Sequence, residues 1–418
     1  MNAPAVKGWC PGALRPMESG DGLIVRLKLT GGIVPLALAI QIADWSRRFG
    51  NGEIDLTARA NLQLRGVTTD SLPDLQRVIA DAGLLDENSD GEAIRNVIAS
   101  PLAGLDPDAV FDIRPMVAAL EARLTGDPKL YALPAKFCFA VDDGGRFGLG
   151  DVRADIRFEA VPGGNFAVRL DGALDEVLGP CPPDALVNVA VALAKACVDG
   201  GKSARRMRNL VLSIGAEAIA RRAGLACGRE PSLSKKIEVL QALNDDNAIV
   251  AIGLPFGRIS AENLKGLTKD ALRSGAKEIR LTPWRALLVP LPSLEAANQL
   301  IGGLPKDAFI LDPADARRRV AACVGAPACP NATTAIRDDA GRLASLVGEH
   351  SFLHVSGCAK GCAHPRAAPV TLVGRDGLYD LVRDRPPSDS PILRGLTLDE
   401  AAAYLRQMAG TQTQGPAA

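Results

Sequence analysis

Residues 23–68 read LIVRLKLTGGIVPLALAIQIADWSRRFGNGEIDLTARANLQLRGVT, and they align without a gap with residues 248–293, AIVAIGLPFGRISAENLKGLTKDALRSGAKEIRLTPWRALLVPLPS. The coincident pairs are Ile24/Ile249, Val25/Val250, Leu29/Leu254, Gly32/Gly257, Gly50/Gly275, Glu53/Glu278, Ile54/Ile279, Leu56/Leu281 and Thr57/Thr282. Chance rarely gives so many identities in one ungapped register. The chain therefore contains an internal duplication, which decides its architecture.

Each copy predicts a strand, a helix and a second strand. The first strands are predicted over 23–29 and 249–254, and the helices over 35–49 and 261–274, each ending at a glycine. Further helices are predicted at 71–84 and 293–304. Gly-containing turns predict hairpins over 133–147, 159–170 and 370–382.

The segment 53–65, EIDLTARANLQLR, alternates polar and apolar residues at every position. This alternation predicts a single strand with one polar face. The last four polar residues are Arg59, Asn61, Gln63 and Arg65. Such side chains can hold carboxylates, although a half-exposed antiparallel strand is the ordinary alternative. The second copy loses the alternation after Thr282, so the two halves differ in their chemistry.

Four of the nine cysteines form two close pairs, within AACVGAPACPNA and VSGCAKGCAHPR. The pairs are Cys323-x5-Cys329 and Cys358-x3-Cys362. Four thiolates can ligate the irons of a [4Fe–4S] cluster, and the adjacent Gly and Pro residues permit tight turns. Structural zinc is disfavoured because its paired cysteines usually have two-residue spacing, and a disulfide is disfavoured in a reducing cytosol. The other five, Cys10, Cys138, Cys181, Cys197 and Cys227, are scattered and mostly suit buried packing.

The bulk composition excludes several classes of protein. The chain has 418 residues, 47% of them hydrophobic, enough for two or three domains of ~150 residues. Lys+Arg and Asp+Glu both number 48, so we expect no bulk attraction to nucleic acid or to a membrane surface. No signal peptide and no uncharged stretch of about 18 apolar residues is seen, so a cytoplasmic protein is expected.

The paired cysteines within a duplicated half resemble those of the siroheme-dependent sulfite and nitrite reductases. So do Thr57-x-Arg59-x-Asn61-x-Gln63, Arg95-Asn96-Val97, the lysine-bearing 133–137 (LPAKF) and 151–155 (DVRAD). The resemblance extends over about residues 8–405. Within this superfamily, 8–17 (GWCPGALRPM) and 19–23 (SGDGL) look most like the precorrin-3B synthases of aerobic cobalamin biosynthesis.

The resemblance implies an α+β, internally duplicated nitrite/sulfite reductase-like fold, with two ferredoxin-like repeats and two α/β domains related by a pseudo-twofold axis. The expected divisions are a ferredoxin-like half-repeat (1–90), a first α/β domain (91–227), a connector with the second half-repeat (228–310), a [4Fe–4S]-binding α/β domain (311–409) and a disordered tail (410–418).

The resemblance also implies roles for particular side chains. The cluster ligands are Cys323, Cys329, Cys358 and Cys362, of which Cys362 is also a candidate axial ligand to a haem iron. Carboxylates of a bound tetrapyrrole are expected on Arg59, Arg65, Arg95 and Lys136, with hydrogen-bonding support from Asn61, Gln63 and Asn96. The reductases carry a second lysine two positions after the first, where this chain has Cys138. That departure disfavours reduction of a small oxyanion but not binding of a polycarboxylate macrocycle.

The implied activity is O2-dependent hydroxylation of precorrin-3A at C20 with γ-lactone formation. The alternatives are a siroheme-dependent sulfite or nitrite reductase and an electron-carrying subunit. Oxygen activation needs iron, as siroheme or as a mononuclear non-haem iron. The three histidines, His350, His354 and His364, are candidates for the latter, although solvated or hydrogen-bonded side chains are the simpler expectation. Electrons are expected from NADH through a separate reductase or ferredoxin, since no G-x-G-x-x-G follows a strand. A monomer is expected.

Overall fold

The computed structural model describes residues 9–230 and 248–412. Its α-helices are α1 (Leu36–Phe49), α2 (Leu72–Asp81), α3 (Ser89–Ile94), α4 (Arg114–Thr125), α5 (Leu186–Asp199), α6 (Met207–Ile214), α7 (Ala216–Arg222), α8 (Ala261–Arg273), α9 (Leu294–Gly303), α10 (Ile336–Leu343) and α11 (Leu398–Gln412). None of the helices within the described ranges has the length and apolar character needed to cross a bilayer.

The strands form four sheets. They are β1 (Met17–Ser19), β2 (Gly22–Leu27), β3 (Ile33–Pro35), β4 (Glu53–Leu56), β5 (Leu62–Val67), β6 (Val97–Ala99), β7 (Phe139–Asp142), β8 (Ile156–Val161), β9 (Asn165–Leu170), β10 (Ala173–Cys181), β11 (Ala226–Arg229), β12 (Ile249–Gly253), β13 (Arg258–Ser260), β14 (Glu278–Leu281), β15 (Ala286–Pro290), β16 (Val320–Ala322), β17 (Leu353–Ser356), β18 (Ala368–Arg375), β19 (Leu378–Arg385) and β20 (Leu393–Leu396).

The two repeats exchange a strand. One sheet has the order β1-β2-β5-β4-β13 and the other β12-β15-β14-β3, so β3 pairs with the second repeat and β13 with the first. Helices α1 and α8 pack against each other, and residues of both repeats share one hydrophobic core. Because each sheet needs a strand from the other repeat, the two repeats form a single structural unit.

The duplication extends to the backbone angles. Gly32 and Gly257 have φ of 68° and 74°, and Ala60 and Arg285 have φ of 53° and 59°. A left-handed conformation is uncommon outside glycine, so its recurrence at an equivalent alanine and arginine reflects a turn inherited by both repeats. The duplication predicted from sequence is confirmed.

The two α/β domains also share a topology. One sheet has the order β11-β10-β9-β8-β7-β6 and the other β16-β17-β18-β19-β20. In each, three strands pair in parallel, β6-β7-β8 and β16-β17-β18, before the chain returns through antiparallel strands. The predicted hairpins at 159–170 and 370–382 are confirmed as β8–β9 and β18–β19.

Two local predictions are wrong. The predicted hairpin at 133–147 contains only β7, which pairs in parallel with β6 and β8. The predicted single strand 53–65 is a hairpin, because β4 ends at Leu56 and β5 begins at Leu62. Its polar face nevertheless persists across the turn, since Asp55 pairs with Gln63 and odd-numbered residues stay on one side.

The C-terminal helix extends into the predicted disordered tail. Helix α11 runs through Gln412, so 410–412, expected in the disordered tail, are helical. The rest of the tail, 413–418, lies outside the described residues, as do residues 231–247 of the predicted connector.

Candidate functional site

Two loops at the carboxyl ends of parallel strands carry the four paired cysteines. Cys323 directly follows β16, and Cys358 comes two residues after β17. Strands β16 and β17 are parallel, with Ala322 opposite Val355, so both loops leave the same edge of the sheet. This edge is where α/β sheets commonly bind ligands. We call 323–329 and 358–362 the cluster loops.

Glycines in left-handed conformations shape both cluster loops. Gly325 has φ of 73°, and a Cβ there would lie 2.7 Å from the backbone nitrogen of Ile336. Gly361, in the second loop, has φ of 59°. The Cys329 N–H donates to the Gly325 carbonyl at 2.8 Å, and the Gly361 N–H donates to the Cys358 carbonyl at 3.3 Å. The Gly residues beside the cysteines therefore permit the tight turns expected from sequence.

All four thiols line one cavity of about 570 Å³, which we call the main cavity. Its volume lies within the roughly 300–1,000 Å³ usual for small-molecule sites. Cys362 is exposed and the other three cysteines are half-buried. The remaining wall includes the cationic side chains of Arg65, Lys136, Arg205, Arg206 and Lys360. Thiols and cations thus face the same space.

Four cysteine thiols that face one cavity are the donor set that a cubane cluster takes. Burial raises the pKa of Cys323, while N–H groups of Gly357 and Gly325 lower it and neighbouring thiols raise it further. The Gly357 N–H donates to Sγ of Cys323 at 3.1 Å, the type of bond that tunes cluster sulfur ligands. Within 9–230 and 248–412, no three His, Cys, Asp or Glu side chains are grouped for a single metal ion. In a cubane cluster each of the four thiolates ligates a different iron, so the cysteines need not surround a single metal ion.

The first half of the chain anchors the first cluster loop. The carbonyl oxygen of Ala328, next to Cys329, accepts hydrogen bonds from the Ser19 hydroxyl at 2.5 Å and the Gly20 N–H at 3.0 Å. The Arg65 guanidinium donates to the same oxygen at 3.2 Å. The position of Cys329 therefore depends on β1 and β5 of the first repeat.

Asp55 connects the repeats to the cysteine-bearing domain. Its carboxylate lies 3.2 Å from Arg65 on β5, 2.8 Å from Arg258 on β13 and 3.0 Å from Arg337 on α10. Burial alone would raise the pKa of Asp55, but the three guanidinium groups hold it far below the usual carboxyl value. One buried carboxylate thus joins four elements from three parts of the chain.

The predicted substrate residues divide into two groups. Lys136 is exposed on the wall of the main cavity, and half-buried Arg59 donates to the Lys136 carbonyl oxygen at 3.0 Å. Arg65 also lines the cavity, but it is only 2% exposed and bonds Asp21 and Asp55. Lys136 is therefore the better placed to meet a ligand, and Arg59 lies behind it, since it bonds the Lys136 backbone and does not line the cavity.

The second group lies behind the wall. Arg95 pairs with Asp86 at 2.8 Å and Glu121 at 3.3 Å, and it does not line the main cavity. The Asn96 amide, 2% exposed, bonds backbone oxygens of 93, 135 and 137. Gln63 accepts from Arg26, and Asn61 is buried at the β4–β5 turn. These contacts give Arg95 and Asn96 a supporting position.

Sequence reasoning missed Arg205 and Arg206. Asp155, fully buried, holds Arg206 through two hydrogen bonds of 2.8 and 2.9 Å and also accepts the Cys138 N–H at 3.0 Å. Asp155, at the end of the 151–155 segment, therefore holds the Arg206 guanidinium at the cavity wall. The sequence signal for these two arginines was the basic cluster Arg205-Arg206-Met207-Arg208. The signal for Lys360, also on the cavity wall, was its place within the Cys-x3-Cys motif.

His354 departs from its expected environment. It is 0% exposed, and neither ring nitrogen has a hydrogen-bond partner among the described residues. Burial, together with His364 and Arg285, lowers its pKa to about 4. Its ring centroid lies 5.8 Å from that of His364, whereas His350 is exposed. The expectation of a solvated or hydrogen-bonded side chain is wrong for His354.

The equivalent position in the other half carries different residues. Trp284 occupies the place in the second repeat that Arg59 has in the first, and it packs against two hydrophobic clusters that include Phe147 and Leu149. Where the cysteines follow β16 and β17, Ser100 and Asp143 follow β6 and β7 and bond each other at 3.0 Å. The duplicated fold therefore has different chemistry at its two equivalent positions.

Two family models match the first half of the chain. The nitrite/sulfite reductase ferredoxin-like half domain matches residues 15–82, and the nitrite and sulphite reductase 4Fe-4S domain matches residues 90–163. Both matches end before the paired cysteines, which occupy the second copy of the same architecture. Fold and cysteine site together define a member of the nitrite and sulfite reductase superfamily.

Relatives across most of the chain narrow this assignment. A precorrin-3B synthase from Sinorhizobium sp is 34% identical over 387 residues, covering 90% of this chain and 82% of that protein. A ferredoxin–nitrite reductase from Synechococcus elongatus is 27% identical, covering 86% and 77%. The fold matches the Mycobacterium tuberculosis NirA structure with a TM-score of 0.72 at 21% identity, over 93% of this chain and 80% of that one. Within the superfamily, the chain belongs to the precorrin-3B synthase family.

Proposed function

We propose that this protein is an oxidoreductase that converts precorrin-3A into precorrin-3B in cobalamin biosynthesis. The observation that carries the proposal is the 34% identity over 90% of the chain to a precorrin-3B synthase. The cationic main cavity, walled by four thiols, supports it because the substrate is a tetrapyrrole with several carboxylates. Cys138, 1% exposed where the reductases have a second lysine, also favours this activity over reduction of a small oxyanion.

The reaction balances as a monooxygenation. Precorrin-3A, O2, two electrons and two protons give precorrin-3B and water, so one oxygen atom enters the product at C20. The ring-A acetate closes the γ-lactone. The electrons originate from NADH and arrive through a separate reductase or ferredoxin. A [4Fe–4S] cluster on Cys323, Cys329, Cys358 and Cys362, when bound, supplies one-electron chemistry at the cavity wall.

The chain's own residues bind and orient the substrate. Lys136, Arg205 and Arg206 hold its carboxylates, Arg59 supports the backbone of Lys136, and Asp155 keeps Arg206 in place. Arg65 and Asp55 fix the first cluster loop rather than the substrate. Cys362 would ligate a siroheme iron, which would supply oxygen-activating chemistry when bound; among the described residues no three His, Cys, Asp or Glu side chains are grouped to hold a mononuclear iron instead.

The test of the function is turnover by anaerobically purified protein supplied with a ferredoxin, a ferredoxin reductase and NADH. With precorrin-3A and air, we expect a product heavier by one oxygen atom. Reduction of nitrite or sulfite under the same electron supply, without oxidation of precorrin-3A, would instead favour the reductase alternative. Pigment and iron analysis of the same preparation distinguishes siroheme from non-haem iron.

Lys136 and Arg95 are expected to differ sharply when each is replaced by alanine. Lys136→Ala should weaken anaerobic precorrin-3A binding by roughly tenfold or more, because Lys136 lines the main cavity and a charged hydrogen bond contributes about 1.5–3 kcal/mol. Arg95→Ala should leave affinity nearly unchanged but destabilise the fold by about 3–5 kcal/mol, because Asp86 and Glu121 lose their buried partner. Fluorescence titration and urea unfolding measure the two effects. Equal loss of affinity in both variants would contradict the assignment of one residue to substrate binding and of Arg95 to support of the fold.

A further inference from the structure

A smaller cavity of about 170 Å³, which we call the side pocket, opens beside the main cavity. The two share Trp9, Pro134, Ala135 and Arg205 in their walls. The volume is roughly that of five or six water molecules at about 30 Å³ each, enough for one carboxyalkyl arm but not for a ring system. The two cavities are therefore adjacent, and the side pocket has the size of one arm of a ligand held in the main cavity.

The side pocket is lined by more cations than anions. Arg15, Lys28 and Arg205 line it together with one carboxylate, Glu92. The Glu92 oxygens already accept the N–H groups of Ala13 at 2.5 Å and Leu14 at 3.1 Å, and they hold the N-terminal segment in place. The single carboxylate of the side pocket therefore cannot neutralise all three of its cationic side chains.

Lys28 is a buried lysine whose side-chain nitrogen has no carboxylate in hydrogen-bond contact. It is 6% exposed, and it donates to the Glu92 main-chain oxygen and, at 3.1 Å, to the Asn96 amide oxygen. An ammonium has three donors, and among the described residues only these two acceptors meet it. A buried charge that lacks a counter-ion is costly, so an anion entering here gains a strong interaction.

The charges around Lys28 also favour binding of an anion in the side pocket. Burial, Arg26 and Arg95 lower the pKa of Lys28 to about 7, against weaker opposing effects of Glu92 and Asp86. The Asp86 carboxylate is bound to Arg95. Trp9 adds an indole N–H, buried and without an acceptor among the described residues, and its ring lies 4.8 Å from the Arg15 guanidinium. Cys10 is the remaining titratable residue that lines the side pocket.

We propose that the side pocket is a subsite that binds one carboxylate arm of the tetrapyrrole held in the main cavity, with Lys28 as its counter-ion and Trp9 as a second donor. The subsite rests on the proposed function, since it needs a polycarboxylate macrocycle next to it. It also gives the segment Trp9-Cys10-Pro11-Gly12 a role, because these residues line the same pocket as Lys28.

The experiment compares full-length wild-type protein with Lys28→Met and Trp9→Phe. The probe is uroporphyrin I, a stable tetrapyrrole with eight carboxylates, titrated anaerobically by fluorescence. Lys28→Met should bind it roughly 10- to 100-fold more weakly, and Trp9→Phe roughly two- to tenfold more weakly, from the strengths of charged and neutral hydrogen bonds. The matched control Lys265→Met removes a lysine paired with Asp44, outside both cavities, and should leave affinity unchanged.

A second readout separates binding from a structural role. If a carboxylate pairs with Lys28, the ammonium form is stabilised and complex formation near pH 8 takes up most of one proton. Calorimetry in two buffers of different ionisation enthalpy measures this uptake. It should vanish in Lys28→Met and be retained in Lys265→Met.

The outcomes are distinguishable. Wild-type protein that binds uroporphyrin I, with Lys28→Met equal in affinity and proton uptake, overturns the subsite but leaves the tetrapyrrole function standing. Wild-type protein that binds no tetrapyrrole at all overturns both. If Lys28→Met does not fold, as judged by circular dichroism and cluster absorbance, Trp9→Phe decides: unchanged affinity in that variant overturns the subsite.

Discussion

Replacing Cys323 by alanine is expected to abolish the cluster and all oxidation of precorrin-3A. Each iron of a cubane needs one protein thiolate, and alanine offers no ligand. Cys323 is held firmly, because it directly follows β16 and its Sγ accepts the Gly357 N–H at 3.1 Å. Iron and acid-labile sulfide should fall to background in anaerobically prepared protein, together with the visible absorbance of the cluster.

Cys227→Ala is the matched control for this substitution. Cys227 is also half-buried, but it lies on β11 with its Sγ 3.4 Å from Glu176 and outside the main cavity. Its removal should leave iron, sulfide and turnover unchanged. A Cys323→Ala protein that keeps its full iron and sulfide content would show that these thiols are not the cluster ligands.

Asp55→Asn is expected to destabilise the fold as strongly as Arg95→Ala. Asparagine keeps the shape of the side chain but removes the charge that compensates Arg65, Arg258 and Arg337. Breaking a buried ion network from one side costs about 3–5 kcal/mol. We also expect weaker retention of the cluster, because Arg65 holds the carbonyl next to Cys329.

The pH dependence of this effect has a defined sign. The folded-state pKa of Asp55 is depressed, so its contribution to stability is fully present above the unfolded value of about 3.9 and is lost as pH falls towards the folded pKa. The difference in unfolding free energy between wild type and Asp55→Asn should therefore be constant above about pH 5 and shrink below pH 4. Urea unfolding followed by tryptophan fluorescence across this range measures the difference.

Asp270→Asn is the matched control for the Asp55 experiment. Asp270 pairs with Arg273 one turn away on α8, and the Arg273 side chain is 71% exposed. Surface pairs of this kind contribute about 0–1 kcal/mol, so the variant should unfold almost like wild type. Comparable destabilisation by both substitutions would argue against a special role for the Asp55 network.

The duplication made the architecture predictable. An ungapped alignment of 23–68 with 248–293 places every strand and helix of one repeat on its counterpart, because equivalent side chains occupy equivalent sites in the two related sheets. The exchange of β3 and β13 could not be predicted, because periodicity gives the faces of a strand but not its partner. Pairing of β7 on both sides with parallel strands was missed for the same reason.

The turn between β4 and β5 shows a limit of pattern reasoning. Polar–apolar alternation continues through 53–65 because the loop 57–61 between the strands has an odd number of residues, which keeps odd-numbered side chains on one face of both strands. The positive φ of Ala60 gives no signal in sequence, since alanine is not a typical left-handed residue. A hairpin and a long strand therefore have the same pattern here.

The site was predictable where the chemistry is local in sequence. Two short cysteine spacings identified all four thiols of the main cavity. Charged residues were harder, because sequence does not show which arginines already have carboxylate partners. Arg65 and Arg95 are bound by Asp21, Asp55, Asp86 and Glu121 from distant segments, whereas Arg205 and Arg206 reach the cavity from a loop after α5.

The central claim is that the protein inserts an atom of O2 into precorrin-3A, with electrons that pass through the four-thiol site. The direct measurement is mass spectrometry of the product formed under oxygen-18 gas by wild type and by Cys323→Ala. We predict one oxygen-18 atom per product molecule with wild type and no product with the variant. Label that enters from oxygen-18 water instead, or equal product from both proteins, would contradict the claim.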